Sequence, residues 1–305
     1  MASPLTTLVP TRRYKGPSLL PPNVPDSAID ALETFEYRND DILIAAYPKS
    51  GTHWINEVIQ LILHKGDPAQ LDYRHRRVCL ELKDTHDFSK LGKVTSTIEL
   101  VKTDPSPRVL MTHLGPSYLS KDTWTKRIPI VCILRDPRDV VISMYNFSKD
   151  FKSLESKPVG DDYTFDALLE TFVSDEAIYG NWCDHALGYE RLAAKGENIL
   201  IISYEDMKKD MTAAVKSIAS HIGHEVTAEV IAKVVTNSAI DAMRKNYQEA
   251  SKTQDNVAVN FSSFIKTGTA GRWKTEVPED KWKKLNENFK EKVKDTVFAK
   301  RYFPD

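Results

Sequence analysis

Four apolar, β-branched runs, Ile42 to Tyr47, Arg108 to Thr112, Ile130 to Leu134 and Asn198 to Ser203, restrict what this chain can fold into. They read as buried strands, because a strand covered on both faces carries a nearly continuous apolar run. Helical spacing separates them: Trp54, Ile55, Val58, Ile59, Ile62 and Leu63 follow the first run, and Val140, Val141, Met144 and Phe147 follow the third. Strands alternating with helices predict an α/β fold with a central parallel sheet flanked by helices. One domain of 305 residues suffices, since helices on both faces of one sheet can bury a core of that size.

Charge narrows the function classes. Lys plus Arg (42) nearly cancels Asp plus Glu (43), so no broad positive field exists to hold a nucleic-acid backbone, and any anion must be bound locally. Arg12, Arg13 and Lys15 near the N-terminus precede no apolar run, and Ile128 to Leu134 is far too short to span a bilayer. Neither nucleic acid nor membrane is expected as a partner. Cys79, Cys132 and Cys183 are widely spaced and form no CxxC pair, which argues against disulfides or a zinc site and suits a reducing, cytoplasmic location.

Pro17, Pro21, Pro22 and Pro25 predict an extended arm over residues 1–40. From Met211 onward the pattern is mostly helical, with Val215, Ile218, Ala219 and Ile222 on one face and no fifth strand. Asn246 to Gly271 shows little periodicity and reads as a functional lid or a disordered stretch. Lys281 to Lys294, dense in Lys and Glu, reads as a solvated helix face.

The first strand runs straight into Pro48-Lys49-Ser50-Gly51-Thr52-His53-Trp54 and then into a helix. Such a turn aims unpaired N–H groups and the positive helix end at one point, which makes it an anion site. Gly51 lets the backbone come close to an oxygen, Lys49 adds a charge, and Ser50 and Thr52 add hydroxyls. A helix start capped by a Ser or Thr side chain would read the same way. His113 closes the second strand, where parallel sheets place ligands, and can take a proton near neutral pH; a loop histidine bonded to backbone is the alternative. Arg135 ends the third strand and Ser143 lies eight residues on, two helical turns along, so both can face one phosphate; an ion pair from Arg135 to Asp136 or Asp139 is the alternative.

The string from Tyr47 to Trp54 resembles the phosphosulfate-binding loop of the cytosolic sulfotransferase family. Further family signatures follow in order: Thr112-His113-Leu114, the run from Leu134 to Ser143, Tyr204-Glu205-Asp206-Met207, and the run from Phe264 to Lys274. The resemblance implies transfer of a sulfuryl group from 3′-phosphoadenosine 5′-phosphosulfate (PAPS) to a hydroxyl or amine of a small molecule, without metal, leaving adenosine 3′,5′-bisphosphate (PAP). It implies His113 as general base, Lys49 on the oxygen that leaves, and Ser143 beside them. Donor binding would fall to Lys49, Ser50, Gly51, Thr52, His53 and Trp54 in the loop and to Arg135 and Ser143 at the 3′-phosphate. Tyr204, Ser238 and Ile240 would meet the adenine side, with Phe264, Ile265, Lys266, Thr267 and Gly268 in the lid. Tyr14, Phe88, Tyr145, Phe147 and Tyr247 would favour a flat or apolar acceptor.

The chain departs from the family in several places. His53 stands for the usual Thr, Met111 for a lysine found in many members, Ile240 for an aromatic residue, and Lys266-Thr267 for Arg-Lys. The family's dimer motif is shortened and altered at Lys274 to Pro278, so a homodimer stays open. A catalytically silent PAP binder and a nucleotide-dependent kinase are the competing functions.

Overall fold

A computed structural model describes residues 11–73, 79–83, 97–150, 163–253 and 268–303. Its short strands β1 (Arg12–Arg13) and β2 (Leu19–Leu20) form an antiparallel pair. The four expected strands are β3 (Ile42–Ala46), β4 (Val109–Thr112), β5 (Ile130–Leu134) and β6 (Ile199–Ser203), within a residue of the sequence reading. They pair in parallel in the order β4-β3-β5-β6. The chain goes from β3 to one side and returns to the other, so a crevice opens beyond the carboxyl ends of β3 and β5, where open parallel sheets bind ligands.

Helices of eight or more residues are α1 (Asp26–Glu33), α2 (Thr52–Leu63), α3 (Pro137–Asp150), α4 (Phe165–Phe172), α5 (Trp182–Ala194), α6 (Met211–His221), α7 (Ala228–Asn237), α8 (Ile240–Thr253) and α9 (Lys283–Val293). Alternation along each strand divides the core in two. Leu43, Ala45, Leu110 and Cys132 face Val140, Trp182, Tyr189 and Phe289, whereas Ile42, Ile44, Met111 and Val131 face Ile55, Ile59, Val215 and Val234. Each large aliphatic side chain buried this way stabilises the fold by roughly 1.5–3 kcal/mol. No described helix is long and apolar enough to cross a membrane. Cys79, Cys132 and Cys183 are buried thiols, not disulfides.

Two segments differ from expectation. Within the expected arm, the described residues 11–40 are not extended throughout: Pro25 instead occupies the cap position of α1, which buries Ala28, Ile29 and Leu32. Pro suits a helix entrance because its fixed φ costs nothing there. The helix α8 covers 246–253, because Met243, Tyr247 and Ala250 are buried at helical spacing that a segment begun at Asn246 cuts in half. The rest of the expected lid, 254–267, lies outside the described residues, and Gly268 to Gly271 lie within them. Lys281 to Lys294 does contain the helix α9, exposed along its Lys and Glu residues and buried at Leu285, Phe289 and Val293.

Candidate functional site

The turn after β3 is strained in a way that aims it. Lys49 has φ 69 and Gly51 φ 107, both in the left-handed region. Gly51 itself is the N-cap of α2, and no side chain caps the helix, so the capped-start alternative fails. The Ser50 N–H goes to the Tyr47 carbonyl (3.1 Å), and the Trp54 and Ile55 N–H groups go to that of Gly51 (3.0 and 3.1 Å). Among the described residues the N–H groups of Gly51 and Thr52 find no acceptor, and the buried Ser50 hydroxyl has no partner. Orphaned donors at a helix start are what an anionic group would satisfy.

Several of the other predicted donor-site residues gather around this turn. Arg135, directly after β5, donates from Nη1 to the Lys49 carbonyl (3.2 Å) and from Nη2 to that of Thr269 (3.0 Å). Its buried Nε has no partner among the described residues. The ion pair expected as its alternative role is only partly present: Asp139 lies 3.8 Å away, while Asp136 is gripped by Arg138 at 2.9 and 2.7 Å. Tyr204, directly after β6, lays its ring 4.5 Å from the Arg135 guanidinium carbon and 5.0 Å from the Trp54 ring. Trp54 in turn donates from Nε1 to the Ser238 carbonyl (3.0 Å).

Gly268, with φ 63, packs so closely that a Cβ there would sit 2.6 Å from Ile240 Cδ1, with the Tyr204 hydroxyl at 3.7 Å. Arg135, Tyr204, Trp54, Ser238, Ile240 and Gly268 are thus linked by one chain of contacts. Ser143 is half-buried on α3; among the described residues its hydroxyl makes no hydrogen bond to Arg135. Phe264, Ile265, Lys266 and Thr267 lie outside the described residues, as do Phe88, His75 and His86.

His113 is fixed by three direct contacts and by the hydrogen bonds of its neighbours. The register pairing Ala45 with Thr112 sets it beside Ala46, and its Nδ1 lies 2.7 Å from the Ala46 carbonyl. A carbonyl only accepts, so Nδ1 carries the proton and Nε2 presents a lone pair. The His113 N–H donates to Glu81 Oε1 (2.8 Å), Thr112 Oγ1 donates to Glu81 Oε2 (2.9 Å), and the Tyr189 hydroxyl donates to the Leu114 carbonyl (2.9 Å). The Tyr179 ring meets the imidazole edge to face at 5.5 Å. Burial, with help from the nearby Lys49 charge and against the Ala46 carbonyl, lowers the His113 pKa to about 4. The ring is therefore a neutral base at neutral pH. The alternative of a backbone-bonded loop histidine is satisfied too, since the bond to Ala46 is what leaves Nε2 as the basic nitrogen.

Sequence reasoning missed several supporting groups. Glu81 is fully buried beneath His113, and burial raises its carboxyl to about 7. It reaches that place because Leu80 N–H bonds to the Met111 carbonyl (2.8 Å), a long-range pairing without a local signal. Asp139 accepts from the Gly271 and Trp273 N–H groups (2.6 and 3.1 Å) and so ties the end of the expected lid to α3. His185 is buried against Tyr47 and Tyr189, with its pKa lowered to about 3 by burial first and His113 second. Met111 fills the apolar face under α2.

Of the aromatic acceptor-side candidates, Tyr14 binds Asp30 on the arm, Tyr145 packs on Tyr163 and Phe165, and Tyr247 is buried against Tyr73. Among the described ones Phe147 touches the loop, through the Lys49 ammonium 3.8 Å from its ring centroid.

The chain is similar to known proteins over most of its length. A model described as the sulfotransferase domain matches residues 39–297. Sulfotransferase 1 family member D1 of Mus musculus is 30% identical over 276 residues, covering 88% of this chain and 89% of its own. Sulfotransferase 1A1 of Bos taurus is 32% identical over 250 residues, 81% of each. The crystal structure of mouse sulfotransferase SULT7A1 complexed with PAP superposes with a TM-score of 0.75 at 26% identity, covering 96% of this chain and 97% of that one. Retinol dehydratase, solved with androsterone and PAP, superposes with a TM-score of 0.74 over 95% of this chain and 92% of its own; at 19% identity it speaks for the fold alone.

Proposed function

The chain belongs to the sulfotransferase family, and on that premise we propose how its own residues divide the work. It is a PAPS-dependent enzyme that sulfates small-molecule acceptors. We assign His113 as the general base and Lys49 as the cation on the departing oxygen. The donor supplies an activated sulfuryl group. His113 Nε2 takes the proton from the acceptor hydroxyl or amine as its oxygen or nitrogen bonds to sulfur. The bond from sulfur to the 5′-phosphate oxygen breaks, and that electron pair leaves with PAP. Lys49, together with the N–H groups of Gly51 and Thr52, balances the charge gathering on the departing oxygen.

The unpaired Ser50 hydroxyl and Arg135 Nε favour bound phosphates. Arg135, Ser143 and Lys266 are assigned to the 3′-phosphate, and Tyr204, Trp54, Ser238 and Ile240 to the adenine side. Phe264, Ile265, Thr267 and Gly268 are also assigned to the donor, as are Thr52 and His53. The bound PAP of the mouse relative supports this arrangement. The observation that carries the reading is His113 held at the end of β4 as a neutral ring with its basic Nε2, one strand from the anion turn.

His113→Ala should lower turnover about 10²–10⁴-fold. It should leave PAP binding, measured by calorimetry, intact. Loss of both would make His113 a structural residue. A cytoplasmic location agrees with the balanced charge and the three buried thiols. A homodimer contact through the altered segment Lys274 to Pro278 belongs to this proposal, since that segment is exposed at Lys274, Thr275, Glu276 and Pro278.

A further inference from the structure

Lys49 spends its charge on an aromatic face. Its ammonium lies 3.8 Å from the centroid of Phe147, well inside the roughly 6 Å limit of a cation–π contact. The two residues come from different elements, the turn after β3 and the last turn of α3. The Lys49 carbonyl is held by Arg135 Nη1 (3.2 Å), while Val140 and Val141 anchor α3 in the core. The lysine side chain, with its rotatable methylenes, can change partner without moving either backbone.

We propose that Phe147 is a rest for Lys49, a positioning residue that holds the ammonium on the acceptor side until an anionic donor draws it off. This rests on the assignment of Lys49 to the donor. The energetics favour such an exchange. A hydrogen bond to a charged group contributes about 1.5–3 kcal/mol, against about 0.5–1 kcal/mol for an accessible cation–π contact. The donor therefore wins, but its affinity is reduced by whatever the ring contact was worth. The rested charge also contributes to keeping His113 unprotonated before the donor arrives. Phe147 thereby sets how readily Lys49 is given up to a donor, in addition to any contact it makes with an acceptor.

Binding of PAPS, measured by calorimetry without acceptor, separates this role from acceptor contacts. Phe147→Leu keeps an apolar side chain but removes the ring face, and should tighten PAPS binding about two- to fivefold, the equivalent of ~0.5–1 kcal/mol at ~1.4 kcal/mol per tenfold. Phe147→Trp, with the stronger face, should weaken it. In a Lys49→Ala background both replacements should leave PAPS affinity unchanged, because no ammonium remains to be held. A Phe147→Leu enzyme that binds PAPS no more tightly than the parent overturns the proposal, as does an equal effect with and without Lys49. The underlying assignment fails separately: Lys49→Ala alone would then bind PAPS and turn over like the parent.

Discussion

Gly51 shows how much of the site depends on a single missing side chain. At φ 107 an L-residue is strained, and a Cβ would lie 2.8 Å from Tyr204 Cδ2 and 3.1 Å from Ile133 Cδ1. The neighbours leave no slack, since Ile133 is a fully buried strand residue and Tyr204 is wedged between Arg135 and Trp54. Gly51→Ala should therefore destabilise the fold by about 1–3 kcal/mol, the scale of one strained backbone position. It should also weaken PAP binding by more than the stability loss explains, because the turn must reopen and misdirect its N–H groups. Urea melts and calorimetry on the same preparation measure both. If PAP binds normally to a destabilised Gly51→Ala protein, these N–H groups are not the phosphate cradle. Lys49, by contrast, accepts φ 69 despite its Cβ, which places backbone strain at the residue assigned to the reaction.

At the scale of elements, the turns after β5 and β6 are braced from behind by the C-terminal helix Val297–Tyr302. Arg138 holds Asp136 in two hydrogen bonds, donates to the Tyr302 carbonyl (2.7 Å) and stacks on Trp273. The Tyr302 hydroxyl meets Glu205 Oε2 (3.2 Å), whose other oxygen accepts from the Asp136 N–H (3.0 Å). Breaking a buried ion pair on one side is costly because a charge is left behind. Arg138→Met should cost about 3–5 kcal/mol in urea unfolding. Adding Asp136→Asn should restore more than half of that loss. A double variant as unstable as the single one would mean that packing on Trp273, not the ion pair, matters.

These same elements show what the sequence could and could not reveal. β3, its turn and α2 were legible because strand burial, turn chemistry and helical spacing are all local. α1 was hidden by prolines that mark a helix entrance as readily as an extended arm. The end of α8 was hidden by its many polar residues around Met243, Tyr247 and Ala250. Arg138 lies within a run that matches the family, yet its partners Tyr302 and Trp273 lie far along the chain, and no spacing rule connects them. Glu81 has the same character: its role beneath His113 comes from strand-like pairing of its neighbour Leu80 with Met111, not from any local pattern in sequence.

For the molecule as a whole, buried titratable groups around one strand end pull stability in opposite directions with pH. His113 and His185 are lowered to about 4 and about 3 from 6.5, so below pH 6.5 the unfolded chain takes up protons that the folded one refuses. Stability falls as acid is added. Glu81 is raised from 4.5 to about 7 by burial, so between those values the folded protein keeps a proton that the unfolded chain has lost. Its contribution makes stability fall as pH rises through that window, with the full penalty present above it. Glu81→Gln removes this penalty while an amide oxygen can still accept from the His113 N–H. Relative to the parent, the variant should gain stability progressively from pH 4.5 to about 7 and hold that gain to pH 8. The gain should be on the order of 3 kcal/mol at most, because each tenfold change in proton affinity between the folded and unfolded chain is worth ~1.36 kcal/mol. Urea midpoints across that range measure it, and a difference constant with pH would mean that Glu81 ionises as it does in water. The acid-side loss from the histidines should persist in the variant, because neither ring depends on the Glu81 charge for its neutrality. The protein that results would keep His113 uncharged near neutral pH, the form that its assigned role as a base requires, with less stability lost on the alkaline side.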